Sequence, residues 1–119
     1  MEMTNTQKEG KILIADDEKT TREILTRALS TKGFTIKTVS NGTEALEMLQ
    51  NEPFDLLITD LLMPNMEGNE LIEKAHEILP DLIPIVITAH ASVETAIKAL
   101  QQGAYDYITK PFDPELIIP

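Results

Sequence analysis

Two hydrophobic periods alternate along this chain. Short stretches in which Ile, Leu and Val crowd together fall at Lys11–Ala15, Phe34–Val39, Asp55–Thr59, Pro84–Thr88 and Ala104–Ile108, and they read as strands. Between them the apolar residues recur at helical spacing. Ile24, Leu25, Ala28 and Leu29 form one predicted face, ended by Gly33, and Ala45, Leu46 and Leu49 a second after the turn signal Asn41-Gly42. Leu71, Ile72, Ala75, Ile78 and Leu79 form a third, stopped by Pro80; Val93, Ala96, Ile97 and Leu100 form a fourth, ended by Gly103. Strict β-α alternation predicts an α/β fold, a doubly wound parallel sheet with helices on both faces. The third and fourth strands are almost unbroken in Leu, Ile and Val, as a strand covered on both faces requires.

Composition narrows the class. At 119 residues the chain is long enough for one domain with a real core and too short for two. Residues 1–10 are polar and lack the apolar stretch of a signal peptide, so they are expected to be a disordered tail before a domain over residues 11–119. A net charge of −10 argues against direct contact with nucleic acid, whose phosphates need clustered Lys and Arg, and suits metal cations or a positively charged partner. There is no cysteine, which excludes disulfides and thiolate chemistry. No apolar stretch reaches the roughly 18 residues that cross a bilayer, and a cytoplasmic location away from membranes is expected.

The residues with chemistry gather at strand ends. Asp16 and Asp17 follow the first strand, Asp60 the third, Thr88 closes the fourth and Lys110 follows the fifth. In open α/β sheets ligands bind beyond the carboxyl ends of the strands, where strand order reverses. Three carboxylates brought together there repel one another unless a cation neutralises them, and Mg2+, a hard ion that takes carboxylate and water oxygens, is the natural choice. Lys110 would supply a compact positive charge for a phosphoryl oxygen and Thr88 a hydroxyl donor. An Asp carboxylate beside such a cation and a lysine is placed to attack phosphorus and become an aspartyl phosphate. Each residue alone has an ordinary reading, as a solvated loop acid, a turn lysine or a strand-closing threonine. All five in this order favour the site.

The motifs resemble those of the receiver domain of bacterial two-component response regulators. The likeness spans roughly residues 11–114 and rests on Ile14-Ala15-Asp16-Asp17-Glu18, on Asp60-Leu61-Leu62-Met63-Pro64-Asn65-Met66-Glu67-Gly68, on Ile87-Thr88-Ala89 and on Tyr107-Ile108-Thr109-Lys110-Pro111-Phe112. Within that family, Ala91 to Ala96 and Gly103 to Tyr107 are similar in wording to receivers of sigma-54-dependent (NtrC-type) transcription activators. The resemblance implies a flavodoxin-like (βα)5 sheet of order 2-1-3-4-5. It implies a phosphorylation-activated switch, not a turnover enzyme, with Asp60 as phosphoacceptor. Asp17, Asp60 and the main-chain oxygen of Leu62 would bind Mg2+ (or Mn2+ in its place), with Asp16 acting through water. Lys110 would contact the phosphoryl group, Thr88 and Tyr107 would be the switch pair, and the bond before Pro111 would be cis. His90 and Leu62 would sit near the site mouth and tune phosphate lifetime, whereas His76 reads as a solvated helix residue. The implied partners are a sensor histidine kinase as phosphodonor, an output domain or effector in transcription regulation, and a second copy in a homodimer.

Three rival readings conflict with particular residues. A haloacid-dehalogenase-like phosphatase needs a second Asp two positions after the nucleophile, where this chain has Leu62. A flavodoxin-like flavin binder needs a hydroxyl- and Gly-rich phosphate loop after the first strand, where Asp16-Asp17-Glu18 would repel phosphate. A degenerate receiver serving only as an interaction module would not keep all five site residues. Asp113-Pro114-Glu115 starts a helix well, with Asp as cap and Pro in the first turn, but the sequence stops at Pro119. A truncated fifth helix is therefore expected, leaving Leu116, Ile117 and Ile118 as an exposed apolar stub that favours self-association.

Overall fold

The computed structural model describes residues 10–117. The expected polar tail lies outside them except for Gly10, whose carbonyl accepts the Thr35 N–H at 3.0 Å. Strands β1 (Lys11–Ala15), β2 (Thr35–Val39), β3 (Leu56–Thr59), β4 (Ile83–Thr88) and β5 (Asp106–Thr109) alternate with helices α1 (Lys19–Ser30), α2 (Gly42–Asn51), α3 (Gly68–Ile78) and α4 (Val93–Gln101). All neighbouring strands are parallel and lie in the order β2-β1-β3-β4-β5, so the predicted doubly wound topology holds. Strand β1 matches the sequence reading at both ends and the other strand ends differ by at most two residues, most at β5, which starts at Asp106 instead of Ala104.

The pleat of the strands sorts the core into two faces. Leu13, Ala15 and Leu57 point to one side, where Ala45 and Leu49 of α2 and Leu71 and Ala75 of α3 close over them. Ile12, Ile14, Ile58, Ile85 and Ile87 point to the other, against Leu25 and Leu29 of α1. A third group, Leu61, Ile72, Val86, Ala99 and Ala104, joins α3 to α4 across the sheet edge. The helix ends follow local chemistry. Asn41 caps α2 by accepting the Glu44 N–H, and Ser92 with Thr95 forms a capping box on α4. Gly33 and Gly103 stop α1 and α4 at φ of 95° and 108°, where a side chain would be strained.

Two helix faces correct the sequence reading. In α1 the buried positions are Thr21, Leu25 and Leu29, while Ile24 is 43% exposed. In α4 only Ala99 is buried; Val93, Ile97 and Leu100 are 76%, 50% and 50% exposed. Periodicity weights large apolar side chains, but α4 meets β5, an edge strand, through its small residues, and so its large apolar residues face outward. His76 is also corrected: it is half-buried, its Nε2 lies 3.1 Å from the Leu82 carbonyl oxygen, and its ring fills the space beside Gly103. After β5 the chain forms a 3-10 turn over Pro114–Leu116. Ile117 is buried against Ile12 and the α1 side of the sheet, so it is no part of an exposed stub; Leu116 is exposed, and Ile118 lies outside the described residues.

Candidate functional site

Two buried carboxylates and one ammonium meet at the carboxyl end of the sheet, and each is placed by its strand. The Asp16 N–H bonds to the Val39 carbonyl at 3.2 Å and the Asp60 N–H to the Ala15 carbonyl at 3.0 Å, so both acids extend the ladder one residue beyond β1 and β3. The Lys110 N–H does the same to the Thr88 carbonyl at 2.8 Å beyond β5, and the Lys110–Pro111 bond is cis. From there the Lys110 side chain reaches back to the acids. Its Nζ lies 3.0 Å from Asp16 Oδ2, 3.0 Å from Asp60 Oδ2 and 2.6 Å from Glu18 Oε1.

The second oxygens of the two buried acids are held by backbone. Asp60 Oδ1 accepts the Leu61 N–H at 2.7 Å and, more weakly, the Leu62 N–H at 3.4 Å, and Asp16 Oδ1 accepts the Glu18 N–H at 2.8 Å. Arg22 adds a bond from Nη1 to the Asp16 carbonyl at 2.7 Å. Burial raises the Asp16 pKa even against its bonds to the Glu18 N–H and to Lys110. Burial also works against the Lys110 charge, but the hydrogen bonds to Glu18, Asp16 and Asp60 outweigh it and hold the ammonium above the ordinary lysine pKa. The Glu18 carboxyl is lowered, first by its bond to Lys110.

Asp16, Asp17 and Asp60 each offer a carboxylate oxygen, and these atoms lie within 4.8 Å of one another. The set is all oxygen and anionic, with two members buried, which fits a hard divalent cation such as Mg2+ and not a softer one. Leu62 and His90 flank the mouth beside Asp17, Glu18 and Lys110, and Leu62 is 45% exposed. Thr88 is buried at the end of β4, and its Oγ accepts the His90 N–H at 3.0 Å instead of bonding to any of the carboxylates. Tyr107 is half-buried on β5, and its hydroxyl lies 2.6 Å from Thr95 Oγ on α4.

So the fold gathers Asp16, Asp17, Asp60, Leu62 and Lys110 around one pocket, with Thr88 and Tyr107 behind it on the α4 side. The sequence reading missed three contributors. Glu18 stands in the sequence only as part of an acidic run and Arg22 as an ordinary helix residue, because neither contact is visible without the tertiary pairing of α1 with the site. Gly68 is in the sequence only the last residue of the Asp60 motif. A Cβ there would lie 2.3 Å from the Asp60 carbonyl oxygen and 3.0 Å from Leu61 Cα, atoms that cannot swing aside. Gly68→Ala is expected to cost about 3 kcal/mol in chemical denaturation; a loss under about 0.5 kcal/mol would mean that the loop adapts.

A doubly wound α/β domain with an acidic, lysine-bridged pocket at its strand ends defines the class. The chain belongs to the response regulator receiver domain family, whose family model matches residues 12–119. It is 41% identical over 104 residues to the DNA-binding transcriptional regulator NtrC of Escherichia coli K12, covering 87% of this chain and 22% of that protein. The chain thus spans about a fifth of that relative's length. A Burkholderia pseudomallei response regulator, solved with a phosphorylated aspartic acid, a calcium ion and citrate, superposes with a TM-score of 0.85 at 32% identity over 91% of this chain and 64% of that one. The beryllofluoride-activated receiver domain dimer of NtrC4 superposes with a TM-score of 0.84 at 35% identity, covering 88% and 87%. No helix among the described residues is long and apolar enough to cross a membrane.

Proposed function

We propose that this domain is a phosphorylation-activated switch whose phosphoacceptor is Asp60. One observation carries the reading: the Asp60 carboxylate is buried, its side chain 7% exposed, yet it opens on a pocket and is held between two backbone N–H groups and the Lys110 ammonium. Nucleophile, counter-charge and access are thereby in one place. A phosphohistidine of a sensor kinase is the donor. An Asp60 oxygen forms the new O–P bond, the P–N bond breaks, and its electron pair stays on the imidazole nitrogen, which takes up a proton. Asp17, Asp60 and the Leu62 main-chain oxygen would hold Mg2+ directly, Asp16 would act through water, and Mn2+ would serve the same ligands. Bound there, the ion would neutralise charge on the phosphoryl oxygens.

The chain's own residues supply the response. The phosphoryl group adds charge and acceptor oxygens next to Lys110 and beside Thr88. Thr88 then leaves the His90 N–H for a phosphoryl oxygen, which draws the β4–α4 connection toward the site. Tyr107 exchanges its bond to Thr95 for the space so opened, and α4 shifts its equilibrium with it. The surface that changes includes Val93, Ile97 and Leu100, an apolar stripe already facing solvent, and this suits recognition by an output domain or effector. Likeness to a DNA-binding transcriptional regulator supports an output in transcription, and the net charge of −10 argues against contact between this domain and DNA. The dimer of the NtrC4 receiver supports a homodimer on activation. Water hydrolyses the acyl phosphate, with Leu62 and His90 at the mouth setting its lifetime, so the domain catalyses only its own phosphorylation and dephosphorylation. The test is phosphate uptake from a small-molecule phosphodonor with Mg2+, compared between the wild-type chain and Asp60→Asn.

A further inference from the structure

Lys110 has three N–H groups, and all three are engaged by carboxylates: Asp16 Oδ2 at 3.0 Å, Asp60 Oδ2 at 3.0 Å and Glu18 Oε1 at 2.6 Å. A phosphoryl oxygen that is to bond Lys110 must take one of them. Asp16 and Asp60 are poorly placed to yield. Their side chains are 3% and 7% exposed, and their other oxygens are pinned at 2.8 Å by the Glu18 N–H and at 2.7 Å by the Leu61 N–H. Glu18 differs on both counts. Its side chain is 60% exposed, so water can replace the lysine at small cost. It is also the N-cap residue of α1, and its side chain makes no capping bond to that helix, whose positive end would welcome the freed carboxylate. Thr21 Oγ, one turn into α1, already donates to Glu18 Oε1 at 3.3 Å.

We propose that Glu18 is a positioning residue that parks Lys110 across the mouth of the pocket and must release it before Asp60 accepts a phosphoryl group. Glu18 is thus a brake on phosphorylation, an assignment that rests on the phosphoacceptor reading of Asp60. Charge acts in the same direction as geometry. Asp16, Asp17, Glu18 and Asp60 face a single lysine, so an anionic donor meets net repulsion, and the Glu18 share of it lies at the mouth where the donor arrives. The same charge attracts a cation. Glu18 therefore opposes the phosphodonor and favours the metal, and these two effects have opposite signs.

The experiment uses the 119-residue chain and Glu18→Gln, which keeps the size and an acceptor oxygen but removes the charge. Initial rates of phosphorylation by acetyl phosphate are measured at saturating Mg2+ across a salt series, and Mg2+ affinity is measured separately by calorimetry without phosphodonor. The variant is expected to phosphorylate about three- to tenfold faster at low ionic strength, with the gain shrinking as salt rises. Its Mg2+ affinity is expected to fall by about two- to fivefold. Glu18→Asp, which keeps the charge, should return Mg2+ affinity to within about twofold of wild type. A merely structural defect would lower rate and affinity together, and that result overturns the assignment, as does a rate within about twofold of a wild-type chain that itself takes phosphate. A wild-type chain that takes no phosphate overturns the phosphoacceptor reading of Asp60, and the brake with it.

Discussion

Lys110→Ala is expected to destabilise the metal-free domain by about 3 kcal/mol, a loss large enough to follow by urea unfolding. The reason is the company that Lys110 keeps. Asp16 and Asp60 are 3% and 7% exposed at their side chains, and Lys110 is the cation bonded to both. Removing it leaves two buried carboxylates facing each other with backbone N–H groups alone, and an uncompensated buried charge is costly in a way that an exposed ion pair is not. Mg2+ should recover much of the loss, since a ligand at about 100 times its dissociation constant adds about 2.7 kcal/mol to the folded state. The pH dependence has a definite sign. Asp16, whose pKa is already raised by burial, holds a proton more readily folded than unfolded. Its contribution is therefore most favourable at acid pH and declines as pH rises through the carboxylate range, and without Lys110 that decline should steepen. A metal-free loss below about 1 kcal/mol would contradict the claim that Lys110 is the principal counter-charge of the pocket.

Asp60→Asn is expected to abolish phosphate uptake while leaving a cooperatively folded domain, and it should also abolish the downstream response. The backbone bonds of Leu61 and Leu62 to Oδ1 can be kept by the amide oxygen, so the loss is chemical and not a failure to fold. The companion variant separates reception from transmission. Thr88→Ala removes the hydroxyl now bonded to the His90 N–H but leaves the carboxylates and Lys110 in place. It should take phosphate and fail to move α4. Amide NMR reads both. With Mg2+ and phosphodonor, the wild-type chain should shift its resonances at His90, Thr95 and Tyr107, Thr88→Ala should shift near Asp60 alone, and Asp60→Asn should shift at none of them. Full α4 shifts in Thr88→Ala would sink the proposed route.

Much of this was legible in the sequence because the strands announce themselves. Ile12, Leu13 and Ile14, then Leu57 and Ile58, then Ile85, Val86 and Ile87 are buried on both sides of the sheet, and only a parallel doubly wound sheet makes such unbroken runs useful. The carboxylates were legible for the same reason, since each follows directly on a strand and strand order alone brings them together. What stayed hidden depends on which side chains do the touching. The α4 stripe of Val93, Ile97 and Leu100 has helical spacing, yet the helix packs through Ala99, and no periodicity reveals that small residues win against an edge strand. His76 is held by the Leu82 carbonyl in the loop after its own helix and packs against the bare Cα of Gly103 on a distant segment, contacts that helical periodicity does not show. Ile117 finds a place beside Ile12 and leaves the expected stub with one described exposed member, Leu116. Glu18 required a lysine ninety-two residues away.

Phosphate uptake at Asp60 is read out by intact-mass spectrometry of the chain after incubation with acetyl phosphate and Mg2+, followed by mapping of the modified residue. A single phosphoryl addition that requires Mg2+ and maps to Asp60 is expected. No addition, or an addition that survives Asp60→Asn, would contradict it.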